Sequence, residues 1–147
     1  GLVAITPGAG FVPIWSSFII GALVSPICYF GVPLVKRKLK IDDALDAFGC
    51  HGLGGIWGGI ATGIFGMSSI NGAARWNGLA FGDTELFAAQ LIGIAVTIAV
   101  AVAGTLVCYA IVRLFTPIRV SERDEQIGVD LSQHGEHAYP SFNGLDQ

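Results

Sequence analysis

Residues 42–65 read DDALDAFGCHGLGGIWGGIATGIF: acids first, then one histidine, then an apolar run in which glycine keeps recurring. Asp42, Asp43 and Asp46 stand where a helix would begin. A carboxylate there accepts hydrogen bonds from free backbone N–H groups, and its charge suits the helix dipole. The acids are therefore expected to cap this helix, and one of them can also anchor it to a neighbouring segment. Downstream, Gly55, Gly59 and Gly63 follow His51 at intervals of four, and Gly54 and Gly58 form a parallel row. Residues four apart share a helical face. Small residues on that face let another helix approach closely inside a membrane. Glycine costs about 1 kcal/mol against alanine in an exposed helix, so this many glycines require compensating contact. The His51 face is expected to turn into protein and away from lipid.

His51 is thus a titratable ring in an apolar helix. Ionisable groups inside spans are rare and usually line a pathway, and that is the favoured reading. A structural histidine bonded to a neighbour is one alternative. A metal ligand is another, but it needs further donors, and the adjacent Cys50 points to a different helical face. No metal is expected.

The rest of the chain has the composition of a membrane protein. Of its 147 residues, 52% are hydrophobic and only 13% charged, against about a quarter charged in soluble domains. Residues 1–35 carry no charged side chain, and residues 67–111 carry only Arg75, Asp83 and Glu85. The net charge of −3 leaves no basic surface for nucleic acid. Gly1 comes first, without a basic region and cleavage site ahead of the apolar stretch, so no signal peptide is read. The chain is expected to be the C-terminal part of a longer one. Cys28, Cys50 and Cys108 lie in apolar runs without a CxxC pair and are expected to be free buried thiols.

A spanning helix needs roughly 20 apolar residues. Three stretches qualify: about 14–35, 44–65 and 87–112. The first contains Pro26 and Pro33, which spans tolerate when neighbours satisfy the freed carbonyls. The third would run to about 40 Å at 1.5 Å per residue, so it should tilt or protrude from a hydrocarbon core of roughly 30 Å. The basic run KRKLK at 36–40 belongs on the cytoplasmic side, as do Arg113 and Arg119. Both clusters fit one topology, with the loop 67–85 outside. Residues 1–117 are read as membrane domain and 118–147 as a polar cytoplasmic tail, disordered or docked. In the tail, His134 and His137 flank Gly135 and Glu136, with Asp130 nearby. A surface metal site is conceivable there. Docking through Tyr139 and its polar neighbours is preferred.

Residues 41–65 as a whole, IDDALDAFGCHGLGGIWGGIATGIF, resemble the signature around the second pore histidine of the ammonium transporter family, which includes the Rh proteins. GLVAITPGAG at the start, VKRKLK at 35–40 and GVDLSQHGEHAYPSF at 128–142 fall in the same order as in bacterial members. The resemblance covers essentially the whole chain. It implies an all-α membrane protein of eleven spans, assembled as a homotrimer with a pore through each subunit. These residues would be its last three spans and a cytoplasmic tail. His51 matches the second of the paired pore histidines, and Thr6 lies in a TP element near the pore. Asp43 and Asp46 match acids with supporting structural roles. Gly128, Asp130, His134, Gly135, Glu136 and Tyr139 belong to a tail that packs under the subunits, where a PII-type nitrogen regulator can bind.

The implied function of the parent protein is transport: recruitment and deprotonation of ammonium, then conduction of ammonia past histidines. The implied setting is a bacterial inner membrane, with lipid around the protein, a cytoplasmic C-terminus and no cofactor. A bare ion in an apolar passage costs tens of kcal/mol in the Born limit. Neutral ammonia avoids most of that, and potassium has no proton to lose. The first pore histidine, the aromatic gate and the outer recruitment site belong to earlier spans and have no counterpart here. The alternatives are an ammonium sensor and a truncated fragment that does not transport. An enzyme is not expected, because no nucleophile–base pair or phosphate loop occurs and GLGG in an apolar helix is a packing pattern.

Overall fold

A computed structural model describes residues 1–136, and its regular structure is helical, with no strand among the described residues. Contacts divide the chain into two units at Val100 and Ala101, inside a helix.

The first unit opens with α1 (Leu2–Ile5), which runs on into a 3-10 turn at Thr6–Gly8. Gly10, at φ +77°, then sits in a turn. α2 (Ile14–Pro33) starts after Pro13, whose carbonyl accepts both the N–H and the Oγ–H of Ser16. It extends through a π-helical turn at Leu34–Lys38. The apolar helix therefore runs Ile14–Lys38, 25 residues, past the expected end and into the basic cluster. α3 (Leu53–Phe65) follows a second π-helical turn at Phe48–Gly52. α4 (Glu85–Phe115) has 31 residues, roughly 46 Å at 1.5 Å each, and its residues up to Val100 belong to this unit.

The second expected span is shorter than its sequence pattern implies. The apolar pattern begins at Ala44, but α3 proper has 13 residues. Two features delay its start. Asp46 sits at φ +55°, which no right-handed helix can carry through, and a wider π turn takes up the next five residues. Of the three expected spans, only Ile14–Lys38 and Glu85–Phe115 are long and apolar enough to cross a membrane among the described residues.

α3 is nevertheless the centre of the unit, in contact with α1, α2, the 3-10 turn at Thr6–Gly8 and a second 3-10 turn at Leu79–Phe81. Its buried residues are Gly54, Gly58, Gly59, Ala61, Thr62 and Gly63, all small. Small residues let backbones, rather than long side chains, form the contact. The apolar core is Ala4, Val12, Ile20, Val24 and Ala61, edged by Trp57 and Phe65. Trp57 Nε1 donates to the Ile20 carbonyl at 3.1 Å, pinning α3 to α2, and Trp15 meets Phe65 edge-on at 5.6 Å. α4, by contrast, buries no residue within the chain.

The loop after α3 is tied by side chains. Asn77 Oδ1 accepts from the Ser68 N–H and hydroxyl, each at 2.9 Å. Asp83 accepts from the N–H groups of Asn77 and Glu85, which places a carboxylate at the head of α4, where the dipole favours it.

The second unit is described from Ala101 to Glu136. After α4, Ser121 caps α5 (Glu122–Ile127) by accepting the Asp124 N–H at 3.2 Å. Arg119 pairs with Glu125 at 2.8 Å. A π-helical turn at Asp130–His134 follows, set between Gly128 at φ +96° and Gly135 at φ +64°. The described part of the tail thus holds local helical structure.

Candidate functional site

His51 lies within the π-helical turn at the head of α3. Such turns are rare, often mark functional positions, and re-aim side chains relative to a regular helix. The turn is held from both sides. The Asp43 carboxylate accepts three backbone N–H groups, from Ala47 at 2.7 Å, Phe48 at 2.9 Å and Gly49 at 3.2 Å. Three donors on one carboxylate satisfy most of the free N–H groups of a helix start. Asp46 does something different. Its carboxylate pairs with Lys36 Nζ at 2.9 Å, and its carbonyl accepts the Cys50 N–H at 2.8 Å. Asp43 caps, and Asp46 links the turn to the end of α2.

His51 is exposed within this chain. It borders a cavity of about 570 Å³ whose other walls include Leu2, Val3, Val24, Ser25 and Cys28. α1, α2 and the π turn all contribute to it. The packing reading of the glycines applies one helix turn further along. Gly54 and Gly58 face α1. A Cβ at Gly54 would meet Val3 Cγ1 at 3.1 Å, and one at Gly58 would run into the Ala4 carbonyl oxygen. Gly59 and Gly63 face α4, where a Cβ would meet Ile94 Cδ1 at 2.9 Å and Phe87 Cα at 3.0 Å. Gly55 has only Val3 Cγ1, at 4.0 Å. The glycines therefore serve two neighbours on two faces rather than one.

Thr6 is not brought to His51. It is exposed, its hydroxyl donates to the Leu2 carbonyl at 2.7 Å, and it does not line the His51 cavity. Its neighbour Pro7 lines a second cavity, of about 280 Å³, with Phe11, Thr62, Trp76 and Gln90.

In the tail, Gly128 and Gly135 supply the two positive-φ positions, and the Asp130 carbonyl accepts the N–H groups of Gly135 and Glu136. His134 ends the π turn. Tyr139 and His137 lie outside the described residues. Among the described residues, no group of three or more His, Cys, Asp or Glu side chains is placed to hold a metal ion.

The cysteines differ from expectation. All three are free, but Cys50 and Cys108 are exposed and Cys28 half-buried. Cys28 and Cys50 both line the His51 cavity. Periodicity could not reveal this, because Cys50 lies in a wider turn that departs from regular helical spacing.

A family model described as Ammonium Transporter Family matches residues 1–139. The chain is 50% identical over 139 residues to a protein named ammonium transporter from Bacillus subtilis (strain 168), covering 95% of this chain and 34% of that one. It is 44% identical over 139 residues to ammonium transporter Amt1 of Archaeoglobus fulgidus, with the same coverages. It also resembles the crystal structure of Saccharomyces cerevisiae Mep2, with a TM-score of 0.70, 36% identity, and 83% of this chain against 28% of that one. The chain spans about a third of the length of the curated relatives it matches.

Proposed function

Because the chain belongs to the ammonium transporter family, we propose that it forms part of a membrane path for ammonium or ammonia, with His51 as a path-lining group. One observation carries this reading: within a chain matched along 95% of its length by ammonium transporters, the lone histidine of the apolar segment borders a cavity walled by α1 and α2. A neutral imidazole has one donor and one acceptor nitrogen. It can therefore hydrogen-bond ammonia, or exchange a proton with a second ring supplied by the rest of the parent. Carrying ammonia as a neutral molecule spares the desolvation of an ion and rejects potassium. If the proton crosses too, each charge gains roughly 2.3 kcal/mol per 100 mV, enough to drive accumulation.

In this reading the three helical segments, with α3 and its π turn as the middle one, are the last spans of an eleven-helix protein. The parent is an integral protein of the bacterial inner membrane and assembles as a homotrimer. Lys36, Arg37 and Lys38 stand at the inner face, and the C-terminal tail is cytoplasmic and open to a PII-type regulator. Thr6, just after α1, belongs near the path in this reading, although its hydroxyl is bonded to the Leu2 carbonyl within this chain.

The test is His51→Ala in the full-length parent, reconstituted in liposomes. Ammonium-driven current or its discrimination against potassium should change. Currents and selectivity equal to wild type would remove His51 from the path.

A further inference from the structure

We propose that Cys28 and Cys50 form a two-sulfur site for a thiophilic monovalent d10 cation, of the Cu⁺ or Ag⁺ class, on the wall of the His51 cavity. The two residues are 22 apart in sequence, yet Cys28 Sγ donates to the Cys50 carbonyl at 3.7 Å. Both thiols are free, and both face the same cavity.

Their spacing is held by the backbone. A Cβ at Gly49 would meet Val32 Cγ2 at 2.5 Å and the Val32 Cα at 3.2 Å. α2 and the π turn are thus pressed together one residue from Cys50. Asp46, bonded to Lys36 on one side and to the Cys50 N–H on the other, closes the same junction. A pair fixed in this way pays little ordering cost on binding.

The donor set selects the ion. Zinc in protein sites takes three or four protein ligands, and no group of three donors is assembled among the described residues. Soft sulfur ligands favour Cu(I) over harder ions, and monovalent d10 ions accept two ligands in a line. Binding involves no redox step. One S–H bond breaks, its proton leaves to water in the cavity, and the thiolate bonds the cation while the second sulfur ligates as a thiol. The occupied site gains one positive charge and loses one proton, so it stays neutral, which suits an apolar wall. This site does not rest on the transport reading, and metal binding is read without measuring transport.

The experiment measures Ag⁺ retained per subunit by the purified full-length parent, with Zn²⁺ as competitor. Cys28→Ser and Cys50→Ser should each lose one Ag⁺ equivalent and bind it at least tenfold more weakly. Cys108→Ser should match wild type, and equimolar Zn²⁺ should not displace the ion. Less than a tenfold loss in either of the first two variants, an equal loss in Cys108→Ser, or displacement by Zn²⁺ overturns the proposal. Should the serine variants fail to fold, the wild-type parent decides alone. A short bifunctional thiol reagent should join the peptides carrying residues 28 and 50, and absence of that cross-link overturns the site.

Discussion

Replacing Gly58 by alanine tests whether α3 is held by direct backbone contact. Two effects of opposite sign compete. Alanine is the better helix former by about 1 kcal/mol, so an uncrowded site would be stabilised. At Gly58, however, the added methyl would overlap the Ala4 carbonyl oxygen and lie 3.0 Å from the carbonyl carbon and 3.1 Å from Cα. All three are backbone atoms, so no side-chain rotation relieves the clash, and α1 must move as a unit. Overpacking of this kind costs about 1–3 kcal/mol. Backbone contact places Gly58 in the upper part of that range, leaving a net loss of about 1–2 kcal/mol after the helix gain. Gly93 supplies the control, because nothing lies within 4 Å of where its Cβ would stand. Gly93→Ala should leave stability unchanged or raise it. The assay heats the full-length parent in detergent and scores the monodisperse fraction by size-exclusion chromatography. The midpoint of Gly58→Ala should fall below wild type, with Gly93→Ala at or above it. A Gly58→Ala midpoint equal to or above wild type would refute the close-contact reasoning.

Two other perturbations probe the start of the turn before α3 and the tail. Asp43→Asn leaves a single neutral oxygen for three N–H groups now shared by a carboxylate and should cost about 1–2 kcal/mol, read in the same heating assay; an unshifted midpoint would deny Asp43 its capping role. Deleting residues 128–147 from the parent should lower ammonium uptake or loosen the proposed trimer, and unchanged uptake together with an unchanged oligomeric state would count against a docked tail.

Much of the architecture follows from patterns visible along the chain. The unbroken apolar runs that end at Lys36 and near Arg113 become α2 and α4, because helix length and apolarity are local properties. The acid cluster at 42–46 becomes a helix start, because a carboxylate just ahead of free N–H groups has little else to do. The glycines of α3 become close contacts, though with α1 on one face and α4 on another, a division that spacing of four does not reveal. The start of α3 was not legible. An amphipathic pattern cannot distinguish a π turn from an α turn, and although aspartate tolerates positive φ better than most residues, nothing in the pattern singles out Asp46 among the three acids as the one that adopts it. The misplaced start also hid the site. Because the turn at Phe48–Gly52 is wider than a regular one, Cys50 and His51 reach the same cavity, although ideal helical spacing sets adjacent residues on different faces. The Lys36–Asp46 pair was missed for a related reason: it depends on α2 continuing past Pro33 into the basic run.

The most direct test of the account is an experimental map of the full-length parent in a lipid bilayer, read at the His51 imidazole. The account predicts that the ring faces a continuous passage through the subunit, opposite a hydrogen-bonding group from the other two-thirds of the protein. A ring turned to lipid acyl chains, or sealed from every passage by bulky side chains, would contradict it.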